Sequence, residues 1–508
     1  MSGWLLTLAC LLLADGDTPP ERPAERIREI TVREAIELGL AYNLGLKSVR
    51  LDALIARFDV EAANAAWDPT LTSDLELAEE LFPARTQLAG ANVVDTDNYA
   101  FALGVTQPFR LGPTLGLTWR TDRTFTNSTF STINPAYDTA LALQLTVPLL
   151  RGRGRSAQEA DLRATQAAAQ GAQYFLMDEA MGLIDEVATG YWSLLALQER
   201  VRVLEKSVEV ARDIEETERR KARPEIGRST KLDVTTAKAE TKRRETALIH
   251  GRLDAANASD DLRVLVLPFT GGPDDHVVLV AVMTPKDLGA IPPLDRLVET
   301  ALARRPDLLA ADTEIAMAQE DVVKARDQLR IQLDLGAGVT WRGVDGDFTS
   351  SAEQALAGDF PSVGATLNLV WTMGRRAARA ALRRAEMSLE KTRLDRRAQL
   401  SEAVVEVRKA HRQLLTSLEE IAATREEVAA ATAALEGERL RLQRGSSTVL
   451  DVARLEENVT EAQLRLLQAR ANLAQARVSI LRVTGTLLEE FGLELGPDLH
   501  VRYAGDAP

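Results

Sequence analysis

The chain is written twice, and that repetition limits its fold more than any other feature. Ile226–Val234 (IGRSTKLDV) returns as Arg444–Val452 (RGSSTVLDV), 218 residues later. Upstream, Leu40, Ala41, Leu46, Ala56, Val60, Ala63 and Leu71 return as Leu302, Ala303, Leu308, Ala318, Val322, Ala325 and Leu333, offset by 262. Gly152 answers Gly374 at an offset of 222, and Leu262-Arg263-Val264 answers Leu481-Arg482-Val483 at 219. Four anchors in one order mean a tandem duplication, so each copy must be a unit that cannot bury its apolar faces alone. The fall from 262 to 222 places 40 additional residues in the first copy, assigned to an extra hairpin at about 90–132 that either joins the other strands or forms an outer loop.

Each copy has the same internal order. A short amphipathic helical pair (Thr31–Ala66; Leu294–Leu329) precedes alternating strands, a very long helix, a turn and a second long helix. Arg376–Glu436 contains neither Gly nor Pro, which at 1.5 Å per residue is a helix of roughly 90 Å. Its partner runs from about Thr448 to Leu488; the first copy has Ser156–Ala222 and then Ser229–Val266. Periodic patterns of this length indicate coiled coil rather than globular packing. The turns are punctuated by Arg223-Pro224 and Gly227 in one copy and by Gly445 in the other, residues that break helices. Residues 31–267 form the first repeat, with strands at about 71–148 and long helices over 156–266. A linker at 268–293, with a short strand at Val277–Val282, leads to the second repeat at 294–490. There the strands lie at about 331–371 and the long helices at 375–488, and 491–508 is a tail. With 27% charged and 5% aromatic residues the composition suits long helices, and 45% hydrophobic residues at regular spacing exclude disorder.

Ile331–Arg342 is the clearest strand. Ile331, Leu333, Leu335, Ala337, Val339 and Trp341 face one way, and Gln332, Asp334, Gly336, Gly338, Thr340 and Arg342 the other. The same alternation runs through Leu71–Leu77, Asn98–Gln107, Leu115–Trp119, Leu141–Val147 and Val363–Trp371. Segments of this length and pattern are what a transmembrane barrel strand requires. A soluble antiparallel sheet has the same period, but this chain offers no globular domain for such a sheet to cover. About six strands cannot close a membrane barrel, whose minimum is around eight. An open sheet edge cannot face lipid, because its backbone groups would have no partners. The barrel must therefore be shared between chains. Trp119, Trp341 and Trp371 at strand ends suit an interfacial aromatic girdle.

Export fits this reading. Trp4–Ala14 is an apolar run of signal-peptide length, so residues 1–14 read as a signal peptide and 15–30 as a linker, although nothing basic lies between Met1 and Trp4. Cys10 reads as part of the removed segment, with lipidation as the alternative. One cysteine and four scattered histidines (His250, His276, His411, His500) leave no metal cage. A net charge of −14 argues against nucleic acid. The chain has no Gly-x-Gly-x-x-Gly, no P-loop and no His-Glu-x-x-His, so neither an enzyme nor a cofactor is expected. Carboxylates with Arg or Lys at i+3 and i+4 read as exposed, salt-bridged helix faces, and the run Arg375-Arg376, Arg379, Arg383-Arg384 as a solvated one.

The helix–strand–long-helix duplication, the paired Gly-x-x-Ser/Thr-x-x-Asp-Val turns and the opening Thr31-Val-Arg-Glu-Ala-Ile-Glu-Leu resemble the TolC-type outer-membrane efflux channels. Val147-Pro148-Leu149-Leu150-Arg151-Gly152 is similar to that family's strand end before its long helix, and the resemblance covers about Thr31 to Leu488. It implies a mainly α protein with β, in which long antiparallel coiled-coil helices form an α-barrel crossing the periplasm. It also implies a homotrimer in which each chain gives four strands to one β-barrel set in outer-membrane lipid. A periplasmic adaptor and an inner-membrane pump, of a tripartite efflux or type I secretion system, would dock at the helical tips. By resemblance, Asp451 matches the first acidic ring of the gate, Arg454 stands where the second ring has a carboxylate, and Ser447 stands where the family has a locking arginine. Asp233 matches an aspartate that helps latch the closed state. The expectation is a weakened cation preference, with Arg454 pairing with Asp451 at one helical turn. Helix N-capping is the alternative role for both aspartates. Ile226, Gly227, Arg228, Gly445, Ser446 and Ser447 are the expected adaptor-docking turn residues, the glycines for their positive φ. The alternative function is a coiled-coil scaffold of the cell envelope without a channel. A periplasmic adaptor is a third option, but it would carry one hairpin flanked by β-domains rather than two copies with strands inside each.

Overall fold

A computed structural model describes residues 26–84, 89–223, 229–267, 277–282, 292–444, 446–496 and 498–503. The signal-peptide and Cys10 readings, and Ile226, Gly227, Arg228 and Gly445, lie outside the described residues. The first copy comprises β1 (Arg26–Ile30), α1 (Val32–Tyr42), α2 (Leu44–Asn64), β2 (Thr70–Pro83), β3 (Val93–Pro108), β4 (Thr114–Thr126), β5 (Ala136–Pro148), α3 (Arg155–Gln158), α4 (Ala160–Lys221) and α5 (Lys231–Val266). The second comprises β6 (Val277–Ala281), α6 (Leu294–Arg304), α7 (Pro306–Gln328), β7 (Gln332–Asp345), α8 (Phe348–Ala357), β8 (Phe360–Val370), α9 (Arg376–Gln443) and α10 (Val449–Val483). After these come α11 (Leu487–Glu490), β9 (Leu493–Leu495) and β10 (Val501–Tyr503). The chain divides into two compact units, one drawn from residues 1–44, 182–291 and 410–482, the other from 45–181, 292–409 and 483–508.

In the first unit β1 pairs in parallel with β6, from Arg26 against Val277 to Ile30 against Ala281. Residues read from the sequence as linker thus supply a strand. The reason is burial: Ile30, Leu279 and Ala281 are buried with Ile36, Val187, Tyr191, Leu194, Leu262 and Val266. α1 starts at Thr31, whose hydroxyl accepts from the Glu34 N–H at 3.3 Å while the Glu34 carboxylate accepts from the Thr31 N–H at 2.8 Å. This reciprocal capping box satisfies two donors that a helix start leaves unpaired.

α9 runs past the expected end at Glu436, through Gly437, to Gln443. An interior glycine costs a helix about 1 kcal/mol, and buried Leu435 and the Arg439–Glu456 ion pair at 2.7 Å hold the helix on either side of it. Gly152 and Gly374, the duplicated anchors after the strands, have φ of 76° and 82°. Both copies turn from strand towards helix through a conformation that disfavours any Cβ. The expected solvated arginine face holds for Arg376, Arg379, Arg383 and Arg384, which are exposed, but not for Arg375, which is half-buried and donates to the Leu329 carbonyl at 3.1 Å.

The second unit carries one antiparallel sheet in the order β2-β3-β4-β5-β7-β8. The extra hairpin supplies β3 and β4, which sit inside the sheet rather than beyond it. One row of directly paired residues crosses all six strands: Leu71, Val105, Leu117, Leu143, Val339 and Val363. The period of two puts all of them on one face. The opposite face carries Asp74, Ala102, Arg120, Ala140 and Arg342 in one row. On the apolar face Leu71, Val105, Leu117, Leu143 and Val363 are all exposed. A contiguous exposed apolar band of this kind marks a surface that meets lipid or protein.

The segment joining β7 to β8 folds as helix α8, N-capped by Asp347, which accepts from the Ser350 N–H at 3.0 Å. Buried Ser351 bonds Thr139 at 2.9 Å, Thr139 bonds Thr121 at 3.2 Å, and the Trp119 indole donates to Thr121 at 3.1 Å. Gly343 permits this close docking, since a Cβ there would meet the Ser351 carbonyl oxygen at 2.0 Å. Gly343→Ala is therefore expected to displace α8 at a cost of about 1–3 kcal/mol, typical of overpacking. Faster amide exchange confined to Phe348–Ala357 would register it.

Candidate functional site at the helical tips

The duplicated turn sequence explains itself at the start of α5 and α10. Thr230 caps α5: its hydroxyl accepts from the Asp233 N–H at 3.2 Å, and the Asp233 carboxylate accepts from the Thr230 N–H at 2.8 Å. Thr448 and Asp451 repeat the arrangement in α10, with the Asp451 N–H on the Thr448 hydroxyl at 3.2 Å and that hydroxyl donating to Asp451 at 2.5 Å. Both aspartates therefore stand at the third helical position and complete a capping box. The Thr448 hydroxyl, then its N–H, hold the Asp451 carboxyl below the ordinary carboxylate value, with the charge of Arg454 adding to the effect. The Thr230 N–H and hydroxyl do the same for Asp233. The expected Asp451–Arg454 ion pair is not formed, because Asp451 is occupied by Thr448.

Around these caps the two repeats meet. Asp233, Ser447 and Arg454 line one cavity of about 860 Å³, together with Glu218, Glu240 and Glu457. Two arginines of α5 tie it to α10. Arg243 bonds Glu457 at 2.7 Å as well as Glu240 at 2.9 Å. Arg244 is buried; it bonds Glu240 at 2.8 Å and donates to the Ser207 hydroxyl at 3.0 Å and to the Ala453 carbonyl at 3.2 Å. Burial pushes the Glu240 carboxyl up, but the hydrogen bonds and charges of Arg243 and Arg244 outweigh it and hold that carboxyl low. Hydrogen bonds donated by Arg243 to the Glu240 and Glu457 carboxylates hold its guanidinium firmly protonated. Ser446, expected as a docking residue, is exposed, with its N–H on the Arg441 carbonyl at 3.0 Å.

Reading the charges as exposed helix faces missed part of this cluster. Arg244, Glu218 and Glu456 are buried. The available signal was Glu240 followed by arginines at both i+3 and i+4, more cation than one exposed pair uses.

Because these carboxylates titrate lower folded than unfolded, the stability they contribute is complete above their unfolded values and drains as pH falls through the folded ones. The stability of the α5 and α10 starts is thus expected to stay constant from neutral pH down to about 5 and to fall below about pH 4, where free Asp and Glu protonate. Amide exchange at residues 231–234 and 450–453, stepped through that range, measures it.

Comparison with known proteins agrees with the fold and its duplication. The outer membrane efflux protein family matches residues 35–266 and 297–486. The outer membrane efflux protein BepC of Brucella suis is 24% identical over 336 residues, covering 65% of this chain and 70% of BepC. Among solved structures, the Campylobacter jejuni CmeC outer membrane channel aligns with a TM-score of 0.67 at 14% identity, over 90% of this chain and 86% of CmeC. VceC of Vibrio cholerae aligns with a TM-score of 0.63 at 17% identity, over 89% of this chain and 96% of VceC. With the family pattern matched in both halves, the chain belongs to the outer membrane efflux protein family.

Proposed function

We propose that the protein is the outer-membrane conduit of a tripartite efflux or type I secretion system, assembled as a homotrimer. Its sheets close into one shared barrel in outer-membrane lipid and its long helices line a passive tunnel through the periplasm. A periplasmic adaptor and an inner-membrane pump dock at the tips, at Ile226, Gly227, Arg228, Gly445 and Ser446. Asp233, Ser447, Asp451 and Arg454 form the entrance gate. The observation that carries the reading is the sheet: an apolar face exposed outside the patch that α8 covers, one polar face and, among the described residues, two unpaired edges in a single chain. Lipid can cover the first, water the second, and only further strands the third.

Adjacent residues of β7 test it. Val339→Cys should react only with a lipid-soluble maleimide in proteoliposomes, and Thr340→Cys with a membrane-impermeant one. Equal reactivity of both with the impermeant reagent would exclude a spanning strand. At the gate, Asp451→Asn should change conductance or cation selectivity, since a carboxylate in a narrow entrance attracts cations. An unchanged channel would restrict Asp451 to its capping role.

A further inference from the structure

Resting on the shared-barrel reading, we infer that each chain contributes six strands to the wall, so that three chains close an eighteen-stranded barrel. The duplication defines the departure. The second copy supplies two strands, β7 and β8, and the first copy without its insertion would also supply two, β2 and β5. The 40 additional residues raise four strands per chain to six.

The inserted hairpin is built as wall. Tyr99, Phe101, Leu103 and Val105 on β3 and Leu115, Leu117 and Trp119 on β4 continue the apolar face in register with their neighbours. Ala100, Ala102, Gly104 and Thr106, and Gly116, Thr118, Arg120 and Asp122, continue the polar one. Arg120 turns back onto Asp122 at 2.7 Å on that polar face. An outer loop extension would need neither face.

The hairpin also reaches the helix-side end of the sheet. Its turn is fastened there: the Arg110 guanidinium lies 4.8 Å from the Trp67 ring centroid and donates to Asn64 at 2.6 Å. The Gln107 amide donates to the Trp67 carbonyl at 2.7 Å, and the Gly154 N–H to the Leu111 carbonyl at 2.9 Å. β3 and β4, of 16 and 13 residues, exceed the roughly 9–11 residues that a tilted strand needs to span.

The edges accept a second copy of this chain. β2 and β8 run in opposite directions, because every step between them is antiparallel. A joint from β8 of one chain to β2 of the next is therefore antiparallel too, and such a head-to-tail contact makes a ring when its rotation closes. Every residue of β8 is exposed, and every residue of β2 except Ala78. Adding two strands preserves this alternation, which one or three would break. With a strand spacing near 4.8 Å and a tilt near 40°, the wall widens from about 24 Å across for twelve strands to about 36 Å for eighteen.

Single-particle cryo-electron microscopy of the full chain in lipid nanodiscs decides it. Eighteen wall strands, with β3 and β4 between β2 and β5, is the expected result. Twelve strands with Val93–Thr126 outside the wall would overturn this inference and leave the shared channel standing. Particles without a barrel would overturn both.

Discussion

Val339→Arg is expected to abolish assembly into the membrane, while Thr340→Arg, one residue along, leaves it nearly intact. Val339 lies in the middle row of the apolar face, between Leu143 and Val363. An arginine on the lipid face of a barrel costs about 2–4 kcal/mol near the bilayer midplane, and in a symmetric assembly each chain bears it. Thr340 faces the polar side, in register with Ala142 and Ser362, where a guanidinium stays in water. The yield of heat-modifiable oligomer in the outer-membrane fraction reads the difference. Equal yields from the two variants would mean that the apolar face meets protein or water instead of lipid.

Arg244→Met is expected to loosen the tips and raise conductance without changing the assembly's mass. The substitution keeps the unbranched apolar stem and leaves Glu240 paired with Arg243, so no carboxylate is stranded. What goes is the charged donor to the Ala453 carbonyl, a direct tie from α5 to α10, along with the bond to Ser207. Hydrogen bonds to charged groups contribute about 1.5–3 kcal/mol each, so one lost tie shifts the opening equilibrium roughly ten- to hundredfold. Arg243→Met, which breaks the exposed pair to Glu457, should act in the same direction and more weakly, since solvent already screens that pair. Single-channel recordings compare the three proteins. A conductance unchanged by Arg244→Met would remove this contact from the gate.

Much of the fold was legible because the sequence states it in repeated, periodic form. The offsets between Leu71 and Leu333 and between Gly152 and Gly374 locate the extra hairpin in the sequence alone. Strict alternation then identified all six strands, Val339 and Thr340 among them. The strand at Arg26–Ile30 was not legible, since a five-residue element carries little period and its partner lies some 250 residues away. Helix α8 was hidden for a related reason: ten residues make under three turns, and its stability comes from packing on Gly343 and Thr139. At the tips, motif spacing found Asp233 and Asp451, whose capping bonds are local. It missed Arg244, whose partners Ser207 and Ala453 are 37 and 209 residues distant. Local spacing cannot tell a charge that turns inward from one left in water.

With six strands per chain, one copy of this protein cannot close its own barrel. The native mass of the protein, extracted in mild detergent from the outer-membrane fraction, tests it most directly. A mass of three chains is the expected result. A soluble monomer or dimer, absent from membranes, would contradict the shared barrel and leave a coiled-coil scaffold in its place.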